Sequence, residues 1–201
     1  MVNGPGYNTD LEKKRCAWCK SHPLYIQYHD NEWGVPVHDD LKLFEFLVLE
    51  NFQAGLNWLT ILKKRQDFSK YIDNFDYNKI ANYNHDKLNS LLKNSKLIRN
   101  KLKINALKNN AICFIKIQKK YGSFNNYIWG FIDNKPINNK YYSIDKITSK
   151  STLSEKISCD LKKEGFKYVG ATIIYAYMQA IGMINDHIKD CFRYKEIQLL
   201  T

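Results

Sequence analysis

From Lys87 to Ile132 the chain contains no aspartate and no glutamate, while ten lysines and arginines fall inside the same stretch. They are Lys87, Lys93, Lys96, Arg99, Lys101, Lys103, Lys108, Lys116, Lys119 and Lys120. The whole chain has 31 Lys+Arg against 20 Asp+Glu, a net charge of +11, so this block supplies most of the excess. A block of one sign reads as a face for a polyanion, with an ordinary solvated lysine surface as the bland alternative. Other absences narrow the class further. Residues 1–14 lack the apolar core of a signal peptide and are expected to form a mobile tail. The apolar run from Tyr168 to Ile184 is shorter than a membrane span and is broken by Thr172 and Gln179, so a buried helix is expected there. There is no strand pattern and no internal repeat. Five cysteines without a secretory signal imply a reducing, cytoplasmic setting with free or metal-bound thiols. With 44% hydrophobic residues, 201 residues can bury a sizeable core as one domain or two packed lobes.

What is present is mostly helical periodicity. Pro23 and Pro36 bracket a segment that can begin with a short helix and end in a turn. Asp39 or Asp40 is placed to cap a helix through Leu49, with Glu50 directly after it and Gly55 breaking the chain. Further helices are predicted over 57–71, 77–83, 86–92 and 101–120. Asn94 to Asn100 forms a short polar turn between the last two, a geometry that suits phosphate binding by exposed backbone N–H groups. Residues 133–151 read as a long loop. Thr152-Leu-Ser-Glu155 resembles a capping box opening a helix to Lys163, and a last apolar helix is expected over 171–183.

Chemistry-bearing residues concentrate between Arg15 and Trp58, where Trp18, Trp33, Trp58, Tyr25 and Tyr28 accompany Cys16, Cys19, His22 and His29. Rings around one convergent carboxylate suit capture of a flat, cationic or polar heterocycle, whereas an aromatic core with a satisfied histidine is the plain structural reading. Near the other end, His187 and Cys191 lie four apart and can chelate zinc from one face of a helix or its frayed end. Two further ligands can come from Cys16, Cys19, His22 or His29, and Cys16-x-x-Cys19 can itself be a redox or zinc pair. Glu50 is either a partly buried acid, which needs partners or a raised pKa, or a surface glutamate at a helix end.

Tyr25-Ile-Gln-Tyr-His-Asp-Asn-Glu-Trp-Gly-Val-Pro36 with Gln53-Ala-Gly-Leu-Asn-Trp58 resembles the signature of the DNA-3-methyladenine glycosylase I family. Gly165 to Thr172 and Asn185 to Cys191 resemble that family's closing segment, so the likeness runs from about Arg15 to Tyr194. The resemblance implies an all-α, helix-hairpin-helix glycosylase-like bundle whose N- and C-terminal segments are joined by a zinc site. It implies one glycosylase domain of two helical lobes over 15–195, with a hairpin near 91–105 and a C-terminal tail over 196–201. It selects Cys16, His29, His187 and Cys191 as ligands of one structural Zn²⁺. It implies Glu50 and Tyr28 as catalytic residues and Trp18, Tyr25 and Trp58 as walls for the base. The activity implied is hydrolysis of the bond between deoxyribose and N3-methylated adenine, without strand cleavage. The partner would be double-stranded DNA carrying alkylated adenine, the product 3-methyladenine, and the protein a monomer away from membranes. Leu56 is a candidate wedge for the vacated stack, with a core leucine as its plain reading. Lys96, Arg99 and Lys101 are expected to meet the DNA backbone. The family's hairpin glycines are absent, since Asn94-Ser95-Lys96 occupy the turn. The competing readings are a non-enzymatic zinc-stabilised DNA-binding protein and a zinc hydrolase with an open metal site.

Overall fold

In the computed structural model, which describes residues 13–200, ten α-helices carry nearly all of the regular structure. They are α1 (Pro23–Asn31), α2 (Asp40–Gln53), α3 (Trp58–Tyr71), α4 (Tyr77–Ala81), α5 (His85–Lys93) and α6 (Lys101–Tyr121). There follow α7 (Phe124–Trp129), α8 (Thr152–Lys163), α9 (Ala171–Ala180) and α10 (Phe192–Gln198). Among the described residues no helix is long and apolar enough to cross a membrane.

The helix starts are written in short polar side chains. Asp39 accepts from the Lys42 N–H to open α2, and Asn57, Asn84 and Asn100 open α3, α5 and α6 in the same way. Each such cap satisfies N–H groups that the helix leaves unpaired and is worth about 1 kcal/mol. Part of the chain's asparagine abundance is thus spent on capping. At α8 the expected capping box shifts by one residue: Ser151 is the cap and Ser154 returns the bond, because Ser154 and not Glu155 stands three positions on. Helix α7 had no counterpart in the sequence reading, and α9 ends three residues earlier than expected.

Helix α2 is central, packing against α3, α6, α7 and α9. Its Phe44 meets Phe114 of α6 edge-on at 5.1 Å, and Phe114 stacks on Phe124 of α7 at 4.1 Å. At the far end of α2, Lys103 of α6 is buried and its ammonium donates to the Phe52 and Ala54 carbonyls at 2.8 and 2.5 Å. A cation on the last carbonyls of a helix satisfies unpaired acceptors and complements the helix dipole. Lys103 is therefore part of the scaffold, not of a DNA face.

The loop 133–151 is tied down by one parallel pairing, β1 (Ile137–Asn138) with β2 (Ile184–Asn185). These two-residue strands are too short to leave the alternation that marks a strand in sequence. Gly182, at φ +75°, lets the chain turn between α9 and β2; a Cβ there would lie 2.5 Å from the backbone of Val35 and Pro36. The first and last described segments meet at Lys14 and Phe192. The expected N-terminal tail lies outside the described residues except for Lys13 and Lys14, and the Lys14 carbonyl accepts from the Phe192 N–H at 2.9 Å. At the other end α10 continues to Gln198 with Ile197 fully buried, so the segment past 195 is not all tail.

Candidate active site

Helices α1, α2 and α9 and the loop 133–151 enclose a cavity of about 320 Å³. Trp18, Tyr28, Trp33 and Trp58 supply aromatic walls, Glu50, Gln53 and Gln179 the polar edge, and Ile144, Ile147 and Ala176 the rest. The rings brace one another: Trp18 meets Trp33 edge-on at 5.1 Å, and Tyr28 lies 5.2 Å from Trp58 at 55°.

Glu50 lies in the last turn of α2, inside the helix instead of after it, and is 4% exposed. Its Oε2 has no hydrogen-bond partner among the described residues. Burial pushes its pKa up to about 8. Across the same cavity the Trp58 indole N–H is also buried without a partner. A buried carboxyl oxygen and a buried indole N–H left open in one cavity are costly to folding, on the order of 1–3 kcal/mol each, and are what a polar ligand would satisfy. Tyr28 is wholly enclosed, and burial followed by the Glu50 and Glu32 charges raises its phenol well above the ordinary value. It stays neutral and can donate.

Tyr25 is not on this cavity. Its hydroxyl accepts from the Leu59 N–H at 3.0 Å, and its ring supports Trp18 edge-on at 5.7 Å. Tyr25 and Tyr28 stand three apart on the same side of α1, and Tyr28 lines the cavity while Tyr25 packs behind it. Leu56 is 42% exposed, on a shallower hollow of about 200 Å³ that shares Glu50, Gln53 and Ala176 with the cavity. That excludes the core reading of Leu56. Trp33 and Gln53 stood within the quoted motifs but without a role, and Gln179 and the two isoleucines carried no signal in sequence.

Cys16, His29, His187 and Cys191 converge into a buried cluster whose four ligand atoms lie within 4.8 Å of one another. Cys191 Sγ is 3.4 Å from His29 Nε2 and 3.5 Å from His187 Nδ1, and Cys16 Sγ is 3.7 Å from His187 Nδ1. With metal bonds of about 2.3 Å to sulfur and about 2.0–2.1 Å to nitrogen, a zinc tetrahedron sets S···N edges of roughly 3.5 Å. The donor set fits. The outer ring nitrogens are held as well: His29 Nδ1 is 2.7 Å from Asp30 Oδ1, and His187 Nε2 is 3.0 Å from the Trp33 carbonyl. Arg15 Nε in turn donates to both oxygens of Asp30 at 2.9–3.0 Å. The hydrogen bond to Cys191 and burial push the Cys16 thiol up, while hydrogen bonds from Cys16 and both histidines hold Cys191 down. Cys19 is excluded from the cluster because its Sγ turns back to the Cys16 carbonyl at 3.1 Å. His22 caps α1 by accepting from the Leu24 N–H at 3.1 Å. His187 and Cys191 do not share a helix: they flank a turn after β2, and Cys191 is the residue before α10.

Helices α5 and α6 pack together across the turn 94–100, with Lys96, Arg99 and Lys101 all exposed. Asn94 closes the turn by accepting from the Lys96 N–H at 2.9 Å, a role glycine cannot take. Not all of the acid-free block is open for a polyanion. Lys87 pairs with Asp73 and Lys120 with Glu164, while Lys108 donates to the Tyr83 carbonyl.

Fold and cavity together define a helical protein with an aromatic cavity that a buried acid lines. The profile of the methyladenine glycosylase family matches residues 18–194, and the chain belongs to that family. It is 40% identical over 181 residues to the DNA-3-methyladenine glycosylase 1 of Escherichia coli (strain K12), covering 90% of this chain and 97% of that relative. Among solved structures, a crystal structure of 3-methyladenine DNA glycosylase I is 44% identical, covers 89% of this chain and 98% of its own, and superposes with a TM-score of 0.87. A point variant of a 3-methyladenine DNA glycosylase I, solved in complex with 3-methyladenine, is 32% identical over 89% of this chain and 96% of its own, at a TM-score of 0.86.

Proposed function

We propose that the chain is a DNA-repair glycosylase that extrudes N3-methylated adenine from duplex DNA and hydrolyses its N-glycosidic bond. One observation carries the reading: the unpartnered, buried Glu50 Oε2 on the wall of an aromatic cavity with room for a base. Methylation at N3 leaves the base in DNA cationic, so its bond to C1′ is already weakened; the base departs with that bonding pair as a neutral molecule while a water oxygen bonds C1′ and gives its proton to solvent. The protein then has to remove the nucleotide from the stack, hold the cation against rings, and supply an acceptor. Trp58, Tyr28 and Trp18 hold the ring, Glu50 accepts from it, and the neutral Tyr28 hydroxyl donates. Leu56, exposed beside the shared rim, fills the vacated stack. No lysine lines the cavity, and Lys103, the one buried amine nearby, is spent on two carbonyls. Among the described residues no amine is offered to the cavity, which supports a reaction that ends at base release.

Cys16, His29, His187 and Cys191 bind one Zn²⁺, which would fasten the two ends of the chain. With four protein donors the site is closed, so its contribution is to folding. A reducing cytoplasm suits these thiols, since all five cysteines are free. Helices α5 and α6 act as the helix-hairpin-helix element, with Lys96, Arg99 and Lys101 on phosphates. Replacing all three by alanine should weaken binding about equally for any sequence, and each lost phosphate contact should flatten the log–log salt slope by roughly one unit. An unchanged slope would place the DNA elsewhere. The activity itself is tested by incubating methylated duplex with the protein and separating the free bases. Released 3-methyladenine with intact strands is expected; retention of duplex without released base would identify a non-enzymatic binder.

A further inference from the structure

Gln179 reaches the cavity from α9, and its amide is held in one orientation. The Nε2 donates to Asp186 Oδ2 at 2.8 Å. Asp186 is 1% exposed and takes two more donors, the Tyr175 hydroxyl at 2.8 Å and Asn139 Nδ2 at 2.6 Å. A carboxylate offers acceptors only, so the nitrogen of Gln179 must face Asp186 and the amide oxygen must face away, toward the cavity. That oxygen accepts no hydrogen bond from any described residue. The cavity lining therefore carries the Gln179 amide oxygen beside the unpartnered Glu50 carboxyl oxygen and the unpartnered Trp58 indole N–H.

A purine with an amino group at position 6 carries two N–H bonds there, whereas a 6-oxo purine carries lone pairs. We propose that Gln179 is a specificity-determining residue that accepts from the exocyclic amine of the extruded base, with Asp186 as the positioning residue that keeps the amide from rotating. The inference rests on the reading that the base occupies this cavity. It adds how an N3-methylated adenine is told from an N3-methylated guanine. With guanine, O6 would face acceptor oxygens and leave buried groups unpaired. Asn139 belongs to the loop 133–151, so that loop and α9 are locked to one carboxylate.

The test uses duplex DNA methylated at N3 of both purines and compares the rates of release of 3-methyladenine and 3-methylguanine. The wild-type protein should favour 3-methyladenine. Gln179→Met keeps the length but removes the acceptor, and should narrow that preference by about tenfold, the worth of one hydrogen bond. Asp186→Asn lets the amide turn its NH₂ inward and should narrow the ratio in the same direction, with no further change when combined with Gln179→Met. A purely structural role would lower the melting temperature and leave the ratio alone. Should Asp186→Asn fail to fold, Gln179→Met decides the matter by itself. Glu50→Gln serves as the control on where the base lies. If Glu50→Gln is impaired but Gln179→Met keeps the wild-type ratio, the role of Gln179 is overturned and the cavity stands. If Glu50→Gln releases both bases normally, the base lies elsewhere and the underlying reading falls first.

Discussion

Glu50→Gln should release 3-methyladenine at least tenfold more slowly than the wild type. The substitution keeps the size and one acceptor oxygen but removes the charge that a cationic base meets. Loss of a charge-assisted hydrogen bond costs about 1.5–3 kcal/mol, and a tenfold rate change corresponds to about 1.4 kcal/mol. Binding to undamaged duplex should not change, because the acid faces the cavity. Stability should move the other way. Burial raises the Glu50 pKa from 4.5 to about 8, so the folded state holds a proton that the unfolded state releases between those values. The wild type therefore loses stability as pH rises from about 4.5 to about 8, and Glu50→Gln is free of that loss. Melting curves of the two proteins should agree near pH 4.5 and separate in favour of Glu50→Gln toward pH 8–9, by a few kcal/mol. A folded Glu50→Gln protein with wild-type release would make this glutamate a structural residue only.

Cys16→Ser combined with Cys191→Ser should abolish zinc binding and lower the melting temperature by roughly 10–20 °C. Loss of a structural metal belongs to the few changes that cost more than about 4–5 kcal/mol, and 1 kcal/mol shifts a protein of this size by about 2–4 °C. The cluster joins residues 16 and 191 across nearly the whole chain, and the metal stabilises the folded state because only that state brings the four ligands together. Cys19→Ser should leave zinc content at one per chain, because that side chain bonds the Cys16 carbonyl and a serine hydroxyl can do the same. Metal content by elemental analysis alongside thermal melts decides this. Full zinc occupancy in the double variant would refute the ligand set.

The helices were legible where apolar spacing and a cap coincide. Asp39 before Leu43 and Phe44, Asn57 before Ile61, and Asn100 before Ile104 each mark a start that the structure keeps. Helix α7 escaped because six residues hold too little of the 3.6-residue period to show it. The acid-free block shows the limit of reading charge along a chain. Folding carries Asp73 and Glu164 to Lys87 and Lys120, and the inward face of α6 takes Lys103 into the core. A run without acids in sequence is thus not a surface without acids. The same limit governs the site. The family resemblance implies Glu50, Tyr28, Trp18 and Trp58 as site residues, and the structure sets them around one cavity. Tyr25 shares that side of α1, but its hydroxyl is taken by the Leu59 N–H and its ring packs behind Trp18. Gln179 and Asp186 lie more than a hundred residues on, and nothing local distinguishes a glutamine that faces a cavity from one that faces water. The spacing of His187 and Cys191 suggested a helix face; a turn brings the same two atoms together.

The central claim is that the buried carboxyl of Glu50 reads the charged base, and its ionisation can be followed directly. Carbon-13 NMR of the Glu50 side-chain carboxyl should show a transition near pH 8 in the free protein. Methylated duplex carrying an uncleavable N3-methyladenine analogue with the cationic charge should hold the carboxyl ionised and move that transition well below pH 7, because an adjacent positive charge favours the carboxylate. Undamaged duplex should leave the transition where it was. A carboxyl that titrates identically with and without the lesion would contradict the account.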